Sequence, residues 1–562
     1  MKRRNPIDRI IPAITLLLLL ALAGCTVANR PVAPRQFTIV AINDVYRIEG
    51  LNDGREGGLA RVRTLRRMLE EESPAVLFLH AGDFLYPSLL SDRYDGEQMV
   101  DLLNLMDGDP KQFDDRMFVT FGNHEFDKRR LRDAERLDGR IEQSQFDWLG
   151  SNIVFKNDQN GESTVRSENL LEHRIVDIGG VKVGLFSLTT DMVQPAYVAS
   201  FEPPLSVAER LSRRLRDRGA EVVVALTHLK VTEDEAILRR LGPDGPDLIV
   251  GGHEHHQIKR CVSGSDVVRC VLKADADAVT ATVARIEIDD NGPVLSSSRF
   301  YPLTDRVEPD PVVAARVRYW LERYAKEYCG VTDPDCLEQV IGWTAVELVA
   351  EEHLIRQYET NVGDWAADEM LRGFNRLEQR GKPAKIAFIN SGALRFNQNI
   401  PPGKISEREL KELLPYPVEL LKIGLSGRLL KQVLEHAADA WPGSGSWLQI
   451  SGFTFEHRPD NAEGSKITNL RFSEANGGDA IDDDDRFWAV TSRFLRGGGD
   501  GYSMLMQIPD SRVALPSTPI ELKDILKKTL RDAGRQGIAP RCDGRIGNPG
   551  SPCLRENQRT PG

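Results

Sequence analysis

Met117-Phe118-Val119-Thr120-Phe121-Gly122-Asn123-His124-Glu125 decides the fold class. Its first half is an apolar run too short for a helix and rich in strand-forming residues, and its second half turns abruptly polar. The construction recurs along the chain. Residues 37–42 precede Asn43-Asp44, 75–79 precede Gly82-Asp83, 222–226 precede Thr227-His228, and 248–250 precede Gly251-Gly252-His253-Glu254-His255. Runs that are apolar throughout read as strands buried on both faces. Open α/β sheets carry their chemistry at such strand ends, so an α/β fold with one shared polar edge is expected.

The polar groups form a set suited to two metal ions. Two divalent cations about 3.5–4 Å apart need a shared carboxylate ringed by oxygen and imidazole ligands. Asp83 is the natural bridge, with Asp44 and His255 completing one position and Asn123, His228 and His253 the other. His253 and His255 are two residues apart, so a regular strand would point them to opposite faces. An irregular turn is therefore expected, with Gly251-Gly252 supplying the backbone freedom.

At 562 residues the chain exceeds one core and is expected to form two domains with tails. A net charge of -11 excludes a polyanion-binding surface and hence a nucleic acid polymer as partner, because such affinity rests on clustered Lys and Arg. Lys2, Arg3 and Arg4 precede an apolar segment, 10–23, that ends at Gly24-Cys25. This resembles a bacterial lipoprotein signal, which implies cleavage before Cys25, lipid on that cysteine, and an exported protein anchored to a bacterial membrane, with a periplasm-facing outer-membrane address. Apart from Cys25, the seven cysteines comprise three close pairs, 261/270, 329/336 and 542/553. They read as local disulfide staples, although six cysteines allow fifteen pairings.

The expected organisation is signal 1–24, tether 25–36, first domain 37–305, linker helix region 306–344, second domain 345–540 and tail 541–562. Residues 58–72 have helical spacing, with Leu59, Val62, Leu65, Met68 and Leu69 on one side. Residues 174–178 and 181–188 flank Gly179-Gly180 as a hairpin. Thr282, Ala284, Ile286 and Ile288 alternate as a half-buried strand. Val313, Val317, Trp320 and Tyr324 share one stripe of a connecting helix, and the Gly-, Pro- and Arg-rich tail is expected to wrap or fray, apart from its cysteine pair.

The motifs in this order resemble the calcineurin-like metallophosphoesterases, and within them the 5′-nucleotidase family. The resemblance implies a four-layer αββα catalytic domain followed by an α/β substrate-binding domain. It makes His124 and Asp127 a catalytic pair beside Asn123, while Glu125 supports the loop. It also implies hydrolysis of nucleotide phosphate esters by a metal-activated water, with two divalent ions such as zinc or manganese. In the second half, Arg356 and Arg395 become phosphate-binding candidates, Asn390 a base contact, Tyr416 with Phe494 an aromatic clamp, and Asp500 a ribose-hydroxyl acceptor. Guanidinium forks match phosphate, and two ring faces hold a flat base. Ser391 and Ala393 stand where the family has glycine.

The departure is Asp44-Val45-Tyr46, where the family has Asp-x-His. An added water, Tyr46 itself, or Tyr86 in Asp83-Phe84-Leu85-Tyr86 would fill the missing ligand position; the last spacing is similar to purple acid phosphatases and would admit iron. Sibling hydrolysis of cyclic nucleotides or nucleotide sugars, and a non-catalytic nucleotide-binding lipoprotein, remain open alternatives.

Overall fold

A computed structural model describes residues 35–52, 54–262, 269–289, 292–330, 336–548 and 551. The expected signal, most of the tether, the lipidation site Cys25 and the cysteine Cys553 lie outside the described residues.

The expected apolar runs all form strands. Arg35–Ile42, Val76–His80 and Met117–Thr120 are parallel neighbours in a seven-stranded sheet, and Val222–His228 and Leu248–Gly251 are parallel neighbours in a six-stranded one. The two sheets pack face to face over Phe37, Ile39, Leu77, Phe118, Val183, Val224 and Val250, all buried. Alternate residues of the same strands face outward. Val40, Phe78 and Val119 meet helices Leu59–Glu72, Glu97–Leu103 and Pro311–Cys329, whereas Val223 and Ile249 meet helices Pro204–Asp217 and Val231–Leu241. Four αββα layers result, because strands buried on both faces need a cover on each.

Helix Leu59–Glu72 buries the expected stripe except Met68, which is 40% exposed. His173–Ile178 and Val181–Thr189 pair as the expected hairpin. The strand Thr280–Asp289 pairs with Gly292–Pro302 at the sheet edge. Helix Pro311–Cys329 starts where Asp310 accepts from the N–H groups of Val312 and Val313, with Pro at its first position. It buries Val313, Val317, Trp320 and Tyr324 against the first domain.

The second domain centres on a five-stranded sheet that includes Ile386–Asn390, Arg486–Ser492 and Leu420–Ser426. Helices Asn361–Leu377 and Leu522–Ala533 cover one face and helix Gly427–Asp439 the other. Two expected boundaries shift. Val340–Thr344, assigned to the linker, pairs with Gly403–Ser406 and places Ile341 in the second core. Part of the tail is also integral: Ile546–Gly547 pairs with Phe453–His457, and buried Arg545 binds Asp368 and Asp543. Of the two expected behaviours, these residues wrap, with Arg545 held in an acidic pocket.

Disulfides join Cys261 to Cys270 and Cys329 to Cys336. Cys542 is also disulfide-bonded. Among the described residues, no helix is long and apolar enough to cross a membrane.

Candidate metal centre and interdomain site

The loops after the parallel strands bring the predicted ligands together. Asp44, Asp83, His253 and His255 all adopt positive φ, 51°, 57°, 92° and 64°, a conformation that costs a non-glycine residue energy and clusters at functional sites. The histidines thus take the irregular backbone expected of Gly251-Gly252. Gly252 is required for space instead: a Cβ there would lie 2.7 Å from both Ala81 O and Asp44 Oδ2. A Cβ on Gly122 would come within 2.1 Å of Asp83 Oδ1.

Of the predicted ligands, Asp44, Asp83 and His228 are each oriented by a further contact. Asp44 Oδ2 accepts from Asn43 Nδ2 at 2.8 Å and from the His253 N–H at 2.9 Å, and Oδ1 lies 3.2 Å from His255 Nε2. Asp83 Oδ1 accepts from the His124 N–H at 2.7 Å, and Oδ2 lies 3.2 Å from His228 Nε2. His228 Nδ1 bonds the Ala81 carbonyl at 2.7 Å, which fixes its tautomer and turns Nε2 to the centre. The His253 ring sits 5.2 Å from that of His228. Glu125 accepts from the N–H groups of Gly122, Asp83, Phe84 and Leu85, tying two ligand loops together.

These residues fit metal ions. Ligand atoms of Asp44, Asp83 and His255 lie within 4.8 Å of one another. Asp44 Oδ1, Asn123 Oδ1 and His228 Nε2 are buried without a hydrogen bond, a costly condition that a cation relieves. Burial opposes ionisation of Asp44, but the imidazoles of His255 and His228 outweigh it and hold the carboxyl well below its usual range. Burial likewise disfavours protonated His228, yet Asp83 and Asp44 lift its pKa to about 10. The two carboxylates demand positive charge at this point. A second acidic group, Glu359, Asp364 and Cys542, is less suited to a metal, since Cys542 is disulfide-bonded and Arg545 already faces Asp364 at 3.4 Å.

Tyr46 occupies the corner where the family has histidine: its hydroxyl lies 3.0 Å from His255 Nε2 and donates to Asp83 Oδ2 at 3.3 Å. The Tyr86 hydroxyl, the other phenol open as a ligand, donates instead to Asp95 Oδ1 at 3.2 Å.

His124 Nδ1 lies 3.1 Å from both carboxylate oxygens of Asp127. The second domain closes over this pair. Arg395 Nη2 bonds His124 Nε2 at 3.0 Å, and the Tyr416 hydroxyl lies 3.2 Å from His124 Nδ1 and donates to Asp127 Oδ2 at 3.4 Å. Tyr416 therefore stacks on His124 (ring centroids 6.3 Å apart) at the reaction end of the cleft, while Phe494 is 44% exposed. Asn390 Nδ2 donates to Asp500 Oδ2 at 2.8 Å, and His436 Nε2 bonds the Asp500 carbonyl at 2.8 Å. Arg356 is buried and paired with Glu352 at 2.7 Å.

Motif reading missed Glu352 and the interdomain pair Arg47–Glu412. The only sequence signal for Glu352 is its helical spacing, four residues before Arg356. The cavity between the domains, lined by Tyr46, Arg47, Glu352 and Arg395, measures about 50 Å³, far below the several hundred that a small-molecule site requires.

Residues 37–257 match the family described as calcineurin-like phosphoesterase, and residues 340–507 match the 5′-nucleotidase, C-terminal domain. The chain is 25% identical over 521 residues to the trifunctional nucleotide phosphoesterase protein YfkN of Bacillus subtilis, covering 87% of this chain but only 34% of that protein. It is 26% identical over 539 residues to a snake venom 5′-nucleotidase of Gloydius brevicauda, covering 88% and 87% of the two chains. Its fold resembles the crystal structure of a 5′-nucleotidase precursor from Thermus thermophilus, with a TM-score of 0.75, 22% identity and coverage of 92% and 100%.

Proposed function

Because the chain belongs to the calcineurin-like metallophosphoesterases of the 5′-nucleotidase family, we propose that it is an exported, lipid-anchored hydrolase that releases phosphate from nucleotides. The observation that carries this reading is the convergence of His124 from the first domain and Arg395 from the second at 3.0 Å, beside the carboxylate of Asp83.

Asp44, Asp83 and His255 would hold one cation, and Asp83, Asn123, His228 and His253 the other. When bound, the cations polarise the phosphoryl oxygens and lower the pKa of water toward neutrality. The remaining work belongs to the chain. Asp127 holds Nδ1–H of His124, which leaves Nε2 facing the cleft; when Nε2 also carries a proton, it can stabilise charge and pass that proton to the departing alcohol, returning to the neutral imidazole. Arg395, released from His124 by substrate, meets the phosphate through a planar fork, and Arg356 supports it from the buried side. Asn390 and Asp500 form one polar unit for the nucleoside, and the exposed face of Phe494 offers stacking for the base, while Tyr416 lies at the phosphate end against His124.

Phosphate release by the purified protein across nucleoside monophosphates, cyclic nucleotides, nucleotide sugars and 4-nitrophenyl phosphate tests the assignment. Preference for the nucleoside monophosphates is expected. Activity with the aryl phosphate equal to or above the nucleotides removes the nucleotide reading.

A further inference from the structure

Glu352 belongs to none of the sequence motifs, yet it touches both halves of the site. It opens the short helix Glu352–Ile355 in the second domain and is 2% exposed. Its Oε2 lies 2.9 Å from His255 Nδ1, 2.7 Å from Arg356 Nη2 and 3.8 Å from Arg395 Nη1, an ion-pair cluster in which neither Oε2 nor His255 Nδ1 makes a well-aligned hydrogen bond. The other nitrogen of His255, Nε2, faces Asp44 at 3.2 Å.

A carboxylate behind the distal nitrogen of a ligand imidazole fixes ring orientation and tautomer and raises the basicity of the ligating nitrogen. For His228 that partner is the Ala81 carbonyl, within the same domain. For His255 it comes from across the domain boundary. Within its own domain Glu352 also pairs with Arg356, four residues along. The dependence also falls on the weaker position, where Tyr46 stands in place of a histidine.

We propose that Glu352 is a positioning residue that couples the first metal position to domain closure, a role resting on the two-metal reading. While the domains are shut, it holds His255 Nε2 toward Asp44; when they part, His255 loses its support. By thermodynamic reciprocity, a cation in that position favours the closed arrangement to the same degree that closure favours the cation.

The test is calorimetric titration of the metal-free full-length protein with Mn²⁺, for wild type, Glu352→Gln and Glu352→Ala, with small-angle scattering before and after loading. Loss of such a support weakens metal binding by about 10–100-fold. The weaker site is expected to lose that much in Glu352→Ala and less in Glu352→Gln, with the tighter site unchanged. Wild type should compact on loading and Glu352→Ala should not. Thermal melting of the metal-free variants checks folding, and Glu352→Gln, of nearly the same shape, carries the comparison if Glu352→Ala fails to fold. Unchanged affinities at both sites in the folded variants overturn the proposal and leave the metal reading standing. A wild type that binds no Mn²⁺ overturns both.

Discussion

Nη2 of Arg395 in the second domain bonds Nε2 of His124 in the first, at 3.0 Å. Two residues 271 positions apart in sequence thereby share one point in space, and the reaction centre is complete only when the domains meet. The cavity beside them, next to Tyr46 and Glu352, measures about 50 Å³, less than a nucleotide needs.

His124→Ala removes the group whose Nε2 faces the cleft and whose Nδ1 is held by Asp127. Loss of a positioned acid or base costs about 10²–10⁴-fold in rate. The turnover number should fall by that factor while metal content, read by elemental analysis, stays at the wild-type level. Asp127→Asn should fall less.

Arg395→Ala removes a charged donor proposed to meet the substrate phosphate. Hydrogen bonds to charged groups contribute about 1.5–3 kcal/mol, so kcat/KM should drop by about 10–150-fold. Arg395→Lys should recover only part of this, because an ammonium lacks the fork. Steady-state kinetics on one nucleoside monophosphate decide the matter.

Tyr46→His tests the corner beside the first metal position. The hydroxyl stands 3.0 Å from His255 Nε2, and an imidazole there points a shorter arm with a nitrogen donor in the same direction. Zn²⁺ affinity at the first metal position should rise by about tenfold or more, since imidazole suits zinc better than a neutral phenol. Unchanged affinity would place residue 46 outside the coordination sphere.

His457 gives a pH signature remote from the metals. It is fully buried against Trp441 and Trp447, and burial, aided by Lys466, depresses its pKa from 6.5 to about 4. The unfolded chain therefore binds the proton more tightly. The contribution to stability is complete above about pH 6.5 and is lost as pH falls toward 4, at most about 3 kcal/mol. Urea unfolding of His457→Phe at pH 7 and pH 4.5 should show a shallower acid-side loss than wild type.

Much of the first domain was legible because strands buried on both faces leave an unbroken apolar run in the sequence, as in Val222–His228. The ligand loops were legible because polar groups follow those runs directly. Gly251-Gly252 marked the right place for a different cause: crowding at Asp44 and Thr227, with the positive φ borne by His253 and His255. Glu352 was not legible, since its meaning depends on His255 of the other domain, which meets it only through domain closure. Arg545 escaped notice for a similar reason, its acidic partners Asp364 and Asp368 lying far upstream.

The most direct measurement of the central claim is metal removal and return. Protein stripped with a chelator should release no phosphate from a nucleoside monophosphate. Activity should return as Mn²⁺ or Zn²⁺ is restored, levelling off at about two equivalents per chain. Full activity in the stripped protein, or saturation at a single equivalent, would contradict the two-metal account.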